Sequence, residues 1–351
     1  MKPIDFPIID SHVHISGTGC LDYMKDYCTS QQFQAVNIAC LGHKKPNDPL
    51  QNILAALLKL QDDRFYAHGS LLYQAMPVDR SRTDDLDFAH QAQELDEIGF
   101  DGMKMLEGKP TTRKLIGLPQ NDPAYDDYYA WMERTGRHIV WHVADPETFW
   151  DKDKAPEFSF KAGWFYGDGT FLTKQQLYDE VIDVLQRFPG LNVTFAHFFF
   201  LSDFPDQAEE LLAQFPHVSL DITPGREMYD NFSRRIDRWR SIFHRYADRI
   251  LFGTDMTSTE FQGAAGDLVS TMKRFLATSD TFDYWDFTIR GLGLSPADCT
   301  SIGRTNFTRL VSEKPRPINK KALKAYIARH AANIHDAATL QYIVDQCEIL
   351  C

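Results

Sequence analysis

The chain has 351 residues, of which 43% are hydrophobic and 25% are charged, and its formal net charge is −12. These numbers are typical of a globular protein with a sizeable core, and the acidic balance argues against a nucleic-acid or anionic-membrane partner. The opening MKPIDFPIID lacks an apolar signal region, no apolar run approaches the roughly 18 residues of a membrane span, and the six cysteines form no CxxC pair. We therefore expect a cytoplasmic protein with reduced thiols.

Short β-rich runs alternate with longer amphipathic stretches along the chain. The eight predicted strands are Ile8–His14, Ala35–Cys40, Phe65–Leu72, Gly102–Leu106, His138–His142, Asn192–His197, Val218–Asp221 and Ile250–Gly253. Helical patterns lie between them, beginning at Leu50, Asp84, Asp122 and Thr173, with Thr173 as a candidate N-cap. Strands that alternate with helices predict parallel βαβ units, and eight such units predict a closed (β/α)8 TIM barrel.

Two further segments extend this barrel. The segment Ala144–Leu172, after strand five, is rich in Trp, Phe, Pro and Gly. It predicts a long ordered aromatic loop, which would serve as a lid or pocket wall or, equally, as surface packing or an oligomer contact. From Ser295 the chain is helical in pattern, and helices from about residue 320 to 351 are expected to pack on the barrel. No repeat or linker interrupts residues 1–351, which predicts a single domain.

Polar side chains recur at the carboxyl ends of the predicted strands, where barrel enzymes carry their sites. They are His12, His14, Lys104, His142, His197 and Asp255. Because side chains alternate along a strand, His12 and His14 lie on one side of it and can reach a single point. Several imidazoles with a carboxylate suit one divalent ion, Zn²⁺ above all, with Mn²⁺ or Fe²⁺ as alternatives.

Each of these residues alone also fits a structural role, such as a hydrogen-bonded strand-end histidine or a helix cap at Asp255. Their joint placement is what predicts a metal site. A bound metal would make hydroxide available from water at neutral pH. Asp255 would bind the ion and accept the proton of this water, and a histidine outside the ligand set would act as acid or base.

Six segments also resemble a known family. In chain order they are IIDSHVH, GFDGMKML, WHVADPETFW, VTFAH, ILFGTDM and IGRTNFTRLV, between about Ile8 and Leu310. Together they resemble the amidohydrolase superfamily, and more narrowly its amidohydrolase-related (amidohydrolase 2) branch of metal-dependent TIM-barrel hydrolases. That branch includes decarboxylases of the amino-carboxymuconate-semialdehyde and resorcylate type, so the resemblance indicates a superfamily and not a substrate.

The resemblance implies a role for each matching residue. It implies metal ligation by His12, His14, His142 and Asp255. His197 would bind a second ion or, in a one-metal site, act as the acid/base. We favour one metal, although Lys104 on strand four leaves open a two-metal site bridged by a carboxylated lysine.

Substrate-binding candidates lie near the same strand ends: Lys104, Arg226, Trp164, Tyr166 and His43. They predict a small-molecule substrate that combines a carboxylate with an apolar or ring portion, whereas Lys109 is interpreted as part of a surface salt bridge. The sequence predicts a hydrolase acting on a small amide, ester or lactone. A nonoxidative decarboxylase of an aromatic or unsaturated acid would use the same ligands, and a non-catalytic barrel with a structural metal is the third alternative. A homo-oligomer is compatible with all three.

Overall fold

Eight parallel strands form one sheet in the order β1 to β8 in the computed structural model, which describes residues 5–42, 45–82, 86–225, 227–257 and 265–351. The strands are β1 Ile9–Val13, β2 Ala35–Ala39, β3 Phe65–Ser70, β4 Gly102–Gly108, β5 His138–Val143, β6 Val193–Phe195, β7 Val218–Asp221 and β8 Ile250–Leu251. The backbone of β1 also bonds to the chain after β8, through Ser11 N–H to the Phe252 carbonyl (3.0 Å) and His14 N–H to the Met256 carbonyl (2.9 Å). The sheet thus closes on itself, and the predicted (β/α)8 barrel is confirmed.

Helices separate the strands and cover the barrel. Between β1 and β8 they are α1 Cys20–Ser30, α2 Leu50–Gln61, α3 Phe88–Ile98, α4 Pro110–Ile116, α5 Asp126–Thr135, α6 Glu157–Lys161, α7 Lys174–Arg187, α8 Pro205–Gln214, α9 Met228–Arg234 and α10 Ile236–Arg245. The predicted cap at Thr173 is confirmed, since its side chain and that of Gln176 form a reciprocal capping box at the start of α7. The predicted helix start at Asp122 differs, because Pro123 begins a separate 3-10 turn before α5.

The chain after β8 adds a hairpin and further helices. They are α11 Ala265–Ala277, β9 Thr281–Tyr284, β10 Phe287–Arg290, α12 Pro296–Thr300, α13 Asn306–Leu310, α14 Lys320–His330 and α15 Ala337–Leu350. As predicted, the last two pack on the barrel's outer layer, α14 against α3 and α15 against α2. None of the helices in the described ranges has the length and apolar character needed to cross a membrane.

A chain of uncharged hydrogen bonds crosses the barrel interior. Asn37 donates its side-chain N–H to the Ser11 carbonyl (2.8 Å), so its oxygen accepts from His68 Nδ1 (2.7 Å). His68 Nε2 then accepts from His138 Nδ1 (2.8 Å), and His138 Nε2 accepts from the Thr194 hydroxyl (2.8 Å). Burial lowers the pKa of His138 to about 3 and that of His68 well below its usual range. Both rings are therefore neutral, and the chain ties β2, β3, β5 and β6 to the backbone of β1.

Candidate active site

Three predicted ligands converge at the carboxyl end of the barrel. His12 and His14 lie on β1 with their Nε2 atoms 3.2 Å apart, and an Asp255 oxygen lies 3.0 Å from His14 Nε2 and 3.7 Å from His12 Nε2. Each of these three residues offers one candidate ligand atom, and the three atoms lie within 4.8 Å of one another; among the described residues, this is the group of histidine, cysteine and acidic side chains that could hold a metal ion. Gly253 permits this approach, because a Cβ there would lie 2.9 Å from the Cβ of His12.

The hydrogen bonds of the two β1 histidines fix which nitrogen faces the site. His12 Nδ1 lies 2.9 Å from Asp221 Oδ2, and His14 Nδ1 lies 2.6 Å from the Ala39 carbonyl oxygen. Both partners are acceptors, so each Nδ1 carries the hydrogen and each Nε2 presents a lone pair. Two lone-pair nitrogens 3.2 Å apart beside a carboxylate suit a cation, and this donor set fits a divalent metal of the zinc type.

Asp221, the last residue of β7, contacts two predicted site residues and was not predicted as a site residue from the sequence. Its Oδ2 accepts from His12 Nδ1, and its Oδ1 accepts from the backbone N–H groups of His197 (2.8 Å) and Thr223 (3.1 Å) and from the Thr223 hydroxyl. It is 1% exposed, and one carboxylate therefore orients residues from two other strands. The signal was present in the sequence, because Asp221 ends a predicted strand at the edge that carries the other site residues.

His197 follows β6 in a left-handed turn. The φ angles of His197, Phe198, Phe199 and Phe200 are 54°, 55°, 54° and 50°, a conformation that costs of order 1–3 kcal/mol for each non-glycine residue. Aromatic packing holds the turn: the ring centroid of Phe198 lies 5.4 Å from those of Trp239 and Phe243, and that of Phe199 lies 4.4 Å from that of Tyr178. The strain is therefore imposed by the surrounding core.

This turn aims the imidazole of His197 at Asp255. Its Nδ1 lies 3.2 Å from the Thr223 carbonyl oxygen, so Nδ1 carries the hydrogen and the lone pair of Nε2 faces Asp255 Oδ2 at 3.9 Å. Burial raises the pKa of Asp255, but the imidazoles of His197 and His14 lower it more, and the net pKa lies well below its usual range. Asp255 is thus an anion, and Nε2 of His197 lies beside it as a proton acceptor.

His142 belongs to the site but lies outside the three-residue group. Its ring centroid is 4.9 Å from that of His197, and its Nε2 lies 3.0 Å from the Ala144 carbonyl oxygen and 3.4 Å from Asp145 Oδ1. Nε2 therefore carries the hydrogen, which leaves Nδ1 as the atom that can bind a metal. Burial lowers the pKa of His142 to about 3, so the ring is neutral.

Asp145 has two further partners beside His142. It accepts from Lys109 Nζ (2.7 and 2.9 Å) and from the Tyr166 hydroxyl (2.6 Å). The Lys109 side chain is 14% exposed and that of Asp145 is 5% exposed, so this pair lies in the wall of the site and not at the surface. Burial opposes the anion of Asp145, but Lys109 and His142 keep its pKa below its usual range. Tyr166, a predicted substrate-binding residue, lies behind the site and is 1% exposed.

Lys104 points into the barrel from the middle of β4. Its Nζ donates to His12 Nε2 at 2.9 Å, and the residue is fully buried. Burial lowers the pKa of Lys104 to about 8, against the opposing effect of Asp255 and Asp221. Lys104 therefore contacts the predicted ligand His12 and is not part of the lining of the cavity where substrate would lie.

A cavity of about 520 Å³ opens above these residues. Its lining comprises Lys109, His142, Asp145, Pro146, Phe149, Phe158, Trp164, His197, Phe200, Pro224, Gly225, Glu227, Asp255 and Trp285. Three of these rings come from the predicted aromatic loop after β5, including Trp164, a predicted substrate-binding residue. The other two predicted binding residues, His43 and Arg226, lie outside the described residues.

Comparison with known proteins concerns the family of the chain and its fold. The amidohydrolase family model matches residues 74–311, which is more than half of the chain. The chain belongs to the amidohydrolase family. The matched region begins after β1, so it does not include His12 and His14. Their position beside Asp255 is seen in the structure and does not follow from the family match. A search of curated proteins gives no match for this amidohydrolase.

Solved structures share its fold. 5-Carboxyvanillate decarboxylase from Sphingomonas paucimobilis is 11% identical, covers 88% of this chain and 99% of its own, and has a TM-score of 0.54. 4-Oxalomesaconate hydratase from Rhodopseudomonas palustris is 13% identical, covers 93% and 100%, and has a TM-score of 0.51. A structure named as a probable 2-pyrone-4,6-dicarboxylic acid hydrolase from Acinetobacter baumannii is 12% identical, covers 87% and 99%, and has a TM-score of 0.54. At such low sequence identities the similarity shows a shared barrel fold. The names of the three proteins refer to different reactions, so they do not indicate which reaction this chain catalyses.

Proposed function

We propose that this amidohydrolase is a metal-dependent hydrolase that acts with water on a small amide, ester or lactone. The observation that carries the proposal is the convergence of two imidazole lone pairs, a carboxylate and a third imidazole at the carboxyl end of the barrel. His12, His14 and Asp255 would hold one divalent cation, with His142 as a further ligand through Nδ1. Such a cation would supply Lewis-acid polarisation of a water or a carbonyl group.

The residues around this position have complementary roles. Asp255, an anion with a side chain 33% exposed to the cavity, accepts a proton from the attacking water. His197 Nε2, 3.9 Å from Asp255 Oδ2, receives that proton. The resulting imidazolium stabilises the negative charge that forms on the carbonyl oxygen, and then donates the proton to the leaving group as the bond to it breaks. Asp221 fixes the tautomer of His12, a proposed ligand, and the backbone of His197, the acceptor in this transfer.

The apolar cavity wall supports decarboxylation as a second candidate. Of the described lining residues, the cationic one is Lys109, and it is already paired with Asp145. A substrate carboxylate away from the metal would thus enter a poorly solvating environment lined by Phe149 and Phe200. Such an environment favours its loss as CO₂, with a proton delivered to the carbon that keeps the electron pair of the broken bond. Recognition of a second carboxylate by Lys104 or Arg226 stays a prediction, as Lys104 contacts His12 and Arg226 is outside the described residues.

The test begins with the metal content of the purified protein. The protein is then reloaded with Zn²⁺, Mn²⁺ or Fe²⁺ and assayed for acid release from lactones, esters and amides and for CO₂ release from aromatic carboxylates. We expect acid release that is lost on chelation and falls about 10²- to 10⁴-fold in His197→Gln. If CO₂ release is the one activity detected, the proposed hydrolase function is rejected in favour of the decarboxylase function.

The exposed His217 supplies the matched control, since His217→Gln should retain full turnover. The alternative is a non-catalytic barrel with a structural metal. It would be supported if removal of the metal unfolds the protein and the wild-type protein turns over none of the substrates.

A further inference from the structure

An outer cavity of about 840 Å³, whose lining includes Glu147, Asp203 and Arg234, adjoins the cavity above Asp255. Five residues line both cavities and form a shared wall: Pro146, Phe149, Phe158, Phe200 and Glu227. Four of the five are apolar. Glu227 is therefore the charged residue that a ligand in the first cavity would meet at the shared wall.

The carboxylate of Glu227 lies against the backbone of Gly225. A Cβ at Gly225 would lie 3.1 Å from Glu227 Oε1 and 3.4 Å from Oε2, so the absence of a side chain leaves room for the carboxylate. Both residues line the first cavity. The charged end of Glu227, and not only its backbone, thus lies at the cavity wall.

The cations near Glu227 are already bound to other acids. Lys109 Nζ lies 2.7 Å from Asp145 Oδ2, and Lys174 Nζ lies 3.3 Å from Glu147 Oε2. Within the described parts of the chain, no lysine, arginine or histidine forms an ion pair with Glu227. Its partly buried carboxylate therefore lacks the partner that usually accompanies a charge removed from water.

The electrostatic surroundings of Glu227 also favour the arrival of a cation. Burial raises the pKa of this carboxyl group, its own backbone N–H and Lys174 lower the pKa, and Asp145 raises it; the net pKa lies above its usual range. A cation beside the carboxylate would offset the cost of burying the anion. The phenyl rings of the shared wall would attract the same cation through their faces.

We propose that Glu227 determines the specificity of this cavity by binding a cationic group of the substrate, such as an ammonium, amidinium or guanidinium group. The apolar part of the substrate would pack against the shared wall. The inference rests on the proposed function, because it places the reacting carbonyl group at Asp255 and His197. It narrows the substrate class to amides, esters or lactones that carry a basic nitrogen, where the sequence analysis expected a carboxylate.

The test uses benzylamine and benzyl alcohol, which have nearly the same shape but differ in charge at neutral pH. Neither has a bond that a hydrolase would cleave. Their Kd values are measured by calorimetry on the zinc-loaded protein, in which Asp255 is expected to bind the metal. We expect wild-type protein to bind protonated benzylamine at least about tenfold more tightly than benzyl alcohol. Glu227→Gln should weaken benzylamine binding about tenfold and change benzyl alcohol binding by less than about twofold.

Asp203→Asn is the matched control, because Asp203 lines the outer cavity but not the first one. This variant should leave both Kd values within about twofold, which separates a contact with Glu227 from attraction by the net charge of −12. Thermal unfolding reports on the fold of the variants. Glu227→Gln should have an unchanged or higher Tm, because it removes a partly buried carboxylate that has no ion-pair partner among the described residues.

Three results would overturn the proposal: equal affinity of wild-type protein for the two probes, no binding of benzylamine, or a preference that persists in Glu227→Gln. A preference that depends on Glu227, in a protein that turns over none of the amides, esters and lactones, would retain the binding role and reject the proposed function. Turnover without such a preference would retain the proposed function and reject the role of Glu227.

Discussion

Asp221→Asn is the substitution that tests the architecture of the site most directly. An asparagine has one acceptor oxygen and one NH₂ group in place of two acceptor oxygens. Among the described residues, Oδ1 of Asp221 receives three donors and Oδ2 receives one, His12 Nδ1. The amide oxygen should therefore take the Oδ1 position and the NH₂ group should face His12.

This placement reverses the tautomer of His12. Its Nδ1 would have to accept from the new NH₂ group, so the hydrogen would move to Nε2, the atom that faces His14 and Asp255. A nitrogen that carries a hydrogen cannot bind a metal. Loss of such an outer partner typically lowers metal affinity 10- to 100-fold, or about 1.4–2.7 kcal/mol.

The assay is a zinc titration of the metal-free protein against a chromophoric chelator. Asp101→Asn is the matched control, since Asp101 is also buried (3% exposed) and accepts from Lys59 and two backbone N–H groups, but lies just before β4 at the amino end of the barrel. We expect Asp221→Asn to raise the zinc Kd 10- to 100-fold and Asp101→Asn to leave it within about twofold. A folded Asp221→Asn variant with wild-type zinc affinity would refute the assigned tautomers.

Three further predictions concern stability. Lys109→Met should lower the free energy of unfolding by about 3–5 kcal/mol in a urea titration, because it leaves Asp145 as a buried charge without its cation; a loss below about 1 kcal/mol would contradict this pairing. Burial lowers the pKa of Lys104 from 10.5 to about 8, so between pH 8 and 10.5 the unfolded chain binds more protons than the folded protein. The free energy of unfolding of the metal-free protein should therefore rise by up to about 3 kcal/mol as the pH rises through this window. This increase should be absent in Lys104→Met. Phe198→Ala should cost about 3–5 kcal/mol of stability, and a loss near zero would show that the left-handed turn does not depend on this ring.

The strands of the barrel, and the end of the barrel at which their site residues lie, could be predicted from the sequence. Parallel strands place their carboxyl ends at one edge, so Asp255 was expected beside His12 and His14 although it lies far from them in the chain. The orientation of rings could not be predicted. Which nitrogen of His142 faces the site depends on the Ala144 carbonyl and Asp145, and these contacts arise only when the loop after β5 folds.

Asp221, which contacts His12, and Trp285, which lines the cavity, were not predicted as site residues from the sequence, for different reasons. Asp221 ended a predicted strand, but a single aspartate there carries no motif, and its role appears only once its contacts with His12 and His197 are known. Trp285 lies in the hairpin after β8, where nothing in the sequence fixes the position relative to the cavity. Its unusual φ angle is a property of the folded backbone.

The left-handed turn that carries His197 has a consequence for how this protein should respond to heat. Its rings are anchored on outer helices, Phe199 against Tyr178 of α7 and Phe198 against Trp239 of α10. Loosening of either helix would release the turn toward relaxed backbone angles while the barrel strands stay paired. Turnover should therefore decline at a lower temperature than the cooperative loss of secondary structure, and the imidazole of His197 should be the part of the site that fails first.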